Sequence, residues 1–253
     1  MVNKSIYQHF DSSEKEFIDR VEDWLTQYGP VRSYFLNPRE RYIAETLANQ
    51  QGIDLRVFPE QTEYAKLIFA PVGQLDFDVA LLQIDYNSRF KRISHSQILG
   101  TFLGETGLDR REIGDIYVTD GQAQIFVSAH LEAFFIEKIQ KIAGLPARLT
   151  SLALDAPLLD QPDSKLSVIL ASSRRIDKIL ASALKISRNL ALNMVQSGKV
   201  KLNYREITKN DLLLTDGDLL SIRGTGRIRL IRGLGMTKKD KEKIEIETIL
   251  NRR

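Results

Sequence analysis

The sequence predicts an α+β protein in three pieces. Residues 1–76 read as a mostly helical domain and residues 77–154 as a βαββαβ unit. A linker at 155–172 then leads to residues 173–253, read as two helices with a small β-sheet. Three observations carry this. Apolar spacing switches between the helical period and the two-residue strand period along the chain. Turn pairs such as Asp120-Gly121 and Asp216-Gly217 punctuate the strand-like stretches. The stretch "DAPLLDQPDSK" holds two prolines and three acids between the halves.

Taken in order, "SEKEFIDRVEDWLTQYGP" is a helix with a capping box, Ser13 and Glu16, and Phe17, Val21, Trp24 and Tyr28 on one face. Gly29-Pro30 ends it. "NPRERYIAETLANQQG" is a second helix, capped by Asn37, with Pro38 in its first turn, Glu40 behind it and Gly52 at its exit. "IDLRVFP" is a strand, and residues 60–76 fit neither pattern. Next come the strand "FDVALLQIDY", a helix capped by Ser94, and the strands "DIYVT" and "QAQIFVS". A helix over "AHLEAFFIEKIQKIAG", ended by Gly144, and the strand "ARLTSLAL" complete the unit. That order is the split ferredoxin-like arrangement, shared by RNA-recognition (RRM-like) domains. The fold alone does not give the function. Base stacking needs exposed aromatics on the third strand, and "QAQIFVS" offers only Phe126, which reads as core.

Charge is uneven along the chain. Of 36 basic and 33 acidic residues, 19 and 9 lie in 173–253, giving +10 there and −7 in residues 1–172. A basic module joined to an acidic body suggests a polyanion partner. The sequence has no cysteine, which excludes disulfides, thiolate metal sites and cysteine nucleophiles and fits a reducing cytoplasm. The first residues are too polar for a signal peptide, and no run approaches the roughly 20 apolar residues of a membrane helix. A cytoplasmic protein without membrane insertion is expected.

The basic module shows how the cations are arrayed. "SSRRIDKILASALKI" is a helix begun by serine caps, with Ile176, Ile179, Leu180, Ala183 and Leu184 as its buried stripe. Arg174, Lys178 and Lys185 fall within about 40° on its other side, flanked by Arg175. A second helix starts at Ser187, whose hydroxyl caps the first free N–H groups, with Arg188 on the first turn. A helix start with an arginine beside it can receive a phosphate. Leu190, Ala191, Met194 and Val195 form the buried face, and Gly198 turns the chain. In "KVKLN", Lys199, Lys201 and Asn203 point away from Val200 and Leu202. Two helices and a strand are thus expected to offer cations to one RNA surface. "GDLLSIRGTGRIRLIRG" and "KIEIETIL" supply further strands, the latter closing a hairpin across a solvated lysine-rich loop.

These residues resemble the S4-like RNA-binding domain. The family pattern is matched in order by Arg175/Asp177, Ser187/Arg188, Gly198/Val200/Asn203 and Gly217/Asp218. The resemblance covers about 50 residues and implies contacts with structured RNA from Arg175, Ser187, Arg188, Lys199, Lys201 and Asn203. Asp177 is expected to orient a neighbouring cation. The whole chain also resembles the YlmH family, through "FLNPRERYIAE", "REIGDIYV", "GQAQIFVSAHL" and the position of the module. That resemblance implies association with the large ribosomal subunit and its 23S rRNA, a role in ribosome-associated quality control, tRNA as a second contact, and a link to a cell-division protein.

Catalytic signals are absent from the sequence. His9, His95 and His130 are scattered outside metal-ligand spacing, and there is no P-loop, GxSxG or dinucleotide fingerprint. His95 and His130 sit near helix starts, where capping or packing is expected. The glycines of "RGTGRIRLIRGLG" lie between strands and read as a hairpin. No cofactor and no metal are expected. The enzyme alternative is a pseudouridine synthase or methyltransferase acting on ribosomal RNA. The alternative from another class is a cell-division adaptor.

Overall fold

The computed structural model describes residues 10, 12–89, 91–159 and 164–250, and the chain folds as two compact units, Met1–Asp160 and Gln161–Arg253. Both mix helix and sheet, so the protein is α+β.

In the first unit, a 3-10 turn at Ser12–Glu14 leads into α1, Lys15–Thr26. The expected Ser13 capping box is not the start of this helix: Glu14 stands at the N-cap and makes no side-chain cap. Its carboxylate instead accepts from Arg39, at 2.8 and 2.9 Å. The buried stripe is Ile18, Val21 and Leu25, and Tyr28, beyond the helix end, is fully exposed rather than part of it. After β1, Val31–Arg32, comes α2, Pro38–Gln50, whose capping box of Asn37 and Glu40 is closed in both directions. The strands β2, Leu55–Phe58, and β3, Lys66–Phe69, complete a sheet of order β1-β3-β2. Thus the ambiguous 60–76 stretch contains a fully buried strand.

The βαββαβ unit follows as β4 (Val79–Tyr86), α3 (His95–Thr106), β5 (Ile113–Val118), β6 (Gln122–Ser128), α4 (Glu132–Lys138), β7 (Lys141–Ile142) and β8 (Leu145–Leu152). The sheet order β5-β6-β4-β8-β7, with every neighbour antiparallel, is the ferredoxin-like arrangement plus one short edge strand. Here α4 ends at Lys138, six residues before the expected glycine stop at Gly144. Burial of Ile139 and Ile142 in the helix-side core wins over continued helix, and Ala143-Gly144, both with positive φ, close a two-residue turn.

Residues 1–76 and 77–154 lie within one compact unit and pack against each other. The sheet face away from α3 and α4 carries Leu81, Tyr117 and Phe126, and Phe35, Phe58, Tyr64 and Phe77 pack onto it. Gly114 makes this approach possible: a Cβ there would come within 2.8 Å of both Phe35 and Phe126. Buried Asp115 accepts the Glu63 and Tyr64 N–H groups at 2.7 and 2.9 Å, tying the covering segment down.

The second unit contains β9 (Lys165–Ala171), α5 (Ile176–Leu184), α6 (Arg188–Gln196), β10 (Val200–Leu202), β11 (Arg205–Glu206), β12 (Leu219–Ile222), β13 (Gly226–Met236) and β14 (Glu242–Leu250). They form one antiparallel sheet of order β11-β10-β12-β13-β14-β9. Both helices pack on one face of it, sharing a core with Val200, Leu220, Ile228, Ile244 and Ile169. Much of the expected linker 155–172 is therefore strand: β9 pairs with β14 along its length, burying Ile169 and Ala171. Residues 160–163 of that linker lie outside the described residues. On α6, Ala191 and Val195 are buried as expected, but Leu190 is half exposed. Among the described residues no helix is long and apolar enough to cross a membrane.

Candidate nucleic-acid interface

The centre of the S4-like pattern is a buried carboxylate. Asp177, in the first turn of α5, is fully buried, and its two oxygens accept from two arginines. Arg175 donates from Nε to Oδ1 at 3.1 Å, and Arg188 donates from Nε to Oδ2 at 2.7 Å. Burial pushes the Asp177 carboxyl up, but the hydrogen bonds and charges of Arg175 and Arg188 outweigh it and hold the group below its ordinary value. The expectation that Asp177 orients a cation is met twice over. The Arg188 side chain is 53% exposed while its Nε is fixed on Asp177. Beside it, Ser187 caps α6, accepting the Leu190 N–H at 3.2 Å. A clamped guanidinium at a helix start is a ready phosphate receptor.

The other expected contacts divide. Arg174 was placed on the α5 cationic row, but it lies two residues before the helix, and Lys185 is a left-handed C-cap beyond its end. Helical spacing therefore leaves only Lys178 on that row. The Arg174 guanidinium is committed to Glu242, at 2.6 to 3.1 Å, and to Asp216 at 2.7 Å. Glu242 above all, then Asp216, holds its pKa far above the ordinary arginine value despite some desolvation. Gly233 makes room for this brace, since a Cβ there would lie 2.7 Å from both Arg174 and Glu242.

Asn203 is likewise a brace. Its side chain donates to Asp218 at 2.7 Å and accepts the Leu219 N–H at 2.9 Å. With Tyr204 it forms the β10–β11 turn, both at positive φ. The Gly-Asp element completes the same lock, because Asp218 also accepts from the Thr215 N–H and hydroxyl. Lys199 is exposed in the turn after α6. Lys201 is exposed too, but strand alternation sets it on the sheet face opposite the helices, paired with Ser221 across the ladder and 3.6 Å from Glu206. Lys201 therefore lies on the sheet face opposite the one that α5 and α6 cover.

Sequence reasoning missed Arg223. Its N–H bonds the Lys199 carbonyl at 2.8 Å, so an exposed arginine stands beside an exposed lysine at the end of the β10–β12 pair. Its position just past a strand was the available signal. The outer sheet face is largely self-neutralised, with Arg229 near Glu247 and Arg232 on Glu245.

Among the described residues, His130 belongs to a hydrogen-bonded cluster. His130 bonds Asp78 through its backbone N–H at 2.9 Å and Nδ1 at 2.8 Å. Asp78 also holds Lys66, which donates to Ser128 at 2.7 Å and lies over Phe35. Desolvation raises the Asp78 pKa, but the hydrogen bonds from Lys66 and His130 prevail and lower it. Lys66 and Ser128 are 3% and 0% exposed, and the group acts as a clasp between β3 and the start of β4, with His130 at its exposed end. His95 opens α3, and His9 lies outside the described residues.

A family model described as "Putative RNA-binding domain in YlmH" matches residues 73–156, and one described as "S4 domain" matches residues 174–220. The "Ribosome-associated protein quality control protein P2" of Bacillus subtilis is 30% identical over 252 residues, covering 96% of this chain and 98% of that protein. A tyrosine–tRNA ligase of Mycoplasma pneumoniae is 26% identical over 148 residues, 58% of this chain and 36% of the ligase. Among solved structures, the "Cell division protein ylmH from Streptococcus pneumoniae" superposes with a TM-score of 0.53 at 27% identity, over 60% of this chain and 98% of that one. The full-length relative and the two domain matches agree: this chain belongs to the YlmH family.

Proposed function

We propose that the chain is a non-catalytic RNA-binding factor that docks on structured RNA of the large ribosomal subunit and acts in ribosome-associated quality control, with tRNA as a second contact. One observation carries the reading: buried Asp177 fixes Arg175 and half-exposed Arg188 beside the capped start of α6. Lys178, Lys199 and Arg223 add phosphate contacts around that centre. Arg174 and Asn203 brace the surface instead of touching RNA. The Bacillus subtilis relative, named for ribosome-associated quality control, supports the biological setting.

The test is co-sedimentation of the full chain with purified large subunits at rising salt. Arg188→Ala lowers affinity about tenfold and reduces the slope of log affinity against log salt by about one. Deletion of residues 173–253, the main anchor, removes most of the co-sedimentation. An unchanged slope in a folded Arg188→Ala protein contradicts the reading. Sustained tritium release or methyl transfer on ribosomal RNA contradicts its non-catalytic part.

A second reading, a cell-division adaptor, draws on the name of the Streptococcus pneumoniae structure. Pull-downs with and without nuclease separate the two, because an adaptor keeps its partners when RNA is destroyed.

A further inference from the structure

The segment matched as an RNA-binding domain folds as a βαββαβ unit, yet the face on which such units stack bases is closed. Phe126 and Tyr117 on that face are 2% and 5% exposed. Buried Gln124 crosses it as well, donating to the Pro157 carbonyl at 3.1 Å and accepting the Leu159 N–H at 2.8 Å. RNA contact by the first unit has to come from another surface.

Many arginines of this unit are occupied by carboxylates: Arg20 by Glu16, Arg32 by Asp76, Arg39 by Glu14 and Arg92 by Asp120. Arg111 is different. Its side chain makes no hydrogen bond or ion pair among the described residues, and its guanidinium is held 4.6 Å from the Tyr34 ring centre. The same ring receives Arg20 at 5.8 Å. Arg110 lies 4.3 Å over Tyr64 and donates to the Ile113 carbonyl.

This platform is rigid. Tyr34 packs edge-on against Trp24 at 5.5 Å, and Trp24 packs on Phe69. The Arg111 backbone is fixed too, its N–H on Asp109 and its carbonyl accepting from Phe35. A guanidinium over an aromatic ring keeps its fork of N–H donors for a phosphate, and being pre-positioned it loses less freedom on binding.

We propose that Arg111 over Tyr34, flanked by Arg110 over Tyr64, forms a second RNA-phosphate contact of this protein, on the first unit. The surrounding residues 1–172 carry a net −7, so this attraction is local rather than spread over the unit. The family match over residues 73–156 favours RNA over an acidic protein as the partner. The contact is independent of the one built around Asp177.

The experiment uses the full chain and large-subunit ribosomal RNA carrying 4-thiouridine. Ultraviolet cross-linking is expected to mark peptides containing Tyr34 or residues 110–117. Arg111→Ala lowers affinity about tenfold and the salt slope by about one, with the thermal transition of Trp24 fluorescence unchanged. Arg111→Lys retains the slope but loses part of the affinity, and it carries the test should the alanine variant fold poorly. Arg188→Ala weakens binding without removing the cross-links at 34 and 110–117, which separates failure of one contact from failure of the other. Cross-links confined to residues 161–253, or wild-type affinity and slope in Arg111→Ala, overturn the proposal. Loss of a protein partner from Arg111→Ala while RNA binding is unchanged also overturns it.

Discussion

Two buried aspartates show how differently the two units use a carboxylate. Asp115, in the first unit, accepts backbone N–H groups of the covering segment and seals a sheet face. Burial dominates there and pushes its pKa up, against the opposing pull of the Glu63 and Tyr64 amides. Asp177, in the second unit, meets two guanidiniums that outweigh burial and hold its pKa down. One carboxylate closes a surface; the other holds charge on one. A buried acid thus means something different according to whether its donors are peptide groups or arginines.

The strongest challenge to this contrast is Phe35→Ala. It should cost the first unit about 4 kcal/mol, since it empties the contact under Leu81 and Phe126. Trp24 is the single tryptophan, so its fluorescence transition reports on the first unit alone and should shift to lower temperature. Asp177→Ala should cost the second unit about 3 kcal/mol and leave the Trp24 transition in place. It should weaken RNA binding at least as much as Arg188→Ala, because both arginines lose their anchor. Equal binding by Asp177→Ala would mean that the clamp serves folding only.

Asn203→Ala should cost about 1–2 kcal/mol by leaving the Leu219 N–H and Asp218 without their partner, measured by hydrogen exchange in the second unit. Its effect on the salt slope should be nil, in contrast to Arg188→Ala.

The smallest effect is the acid response. Asp177 has a folded pKa below its unfolded value near 3.9, so its stabilisation is complete above that value and fades as pH falls through the folded one. Asp115, with a raised folded pKa, works the other way: its contribution to stability falls as pH rises above the unfolded value. Urea unfolding from pH 3 to pH 6 should show Asp177→Asn flattening the rise of second-unit stability with pH. Asp115→Asn should remove an opposing slope from the Trp24 signal.

Local signals were the legible ones. Asn37 with Glu40, Ser94 with Gln97 and Ser187 with Leu190 cap their helices within three residues, a range over which sequence and space coincide. The turns at Gly121, Gly217 and Gly224 were legible for the same reason. Arg174 was misassigned because its partner Glu242 lies 68 residues on, and no local pattern reveals that brace. Asn203 shares its motif with exposed Arg188 and Lys199, yet its bond reaches Asp218 beside the neighbouring strand. Lys201 was correctly set opposite Val200 by alternation, but which face the helices cover is decided by packing. β9 was hidden because an edge strand that buries only Ile169 and Ala171 carries half of the usual apolar signal.

By itself the sequence determined the α+β class, the order of the βαββαβ unit, the basic second half and the Ser-Arg helix start, since these rest on neighbours within a few turns of chain. Only the tertiary structure decided which motif residues hold the scaffold and which keep their charge exposed. A charge becomes a brace or a contact according to whether a distant carboxylate is folded against it, and the energy of that pairing depends on burial that residue spacing does not encode.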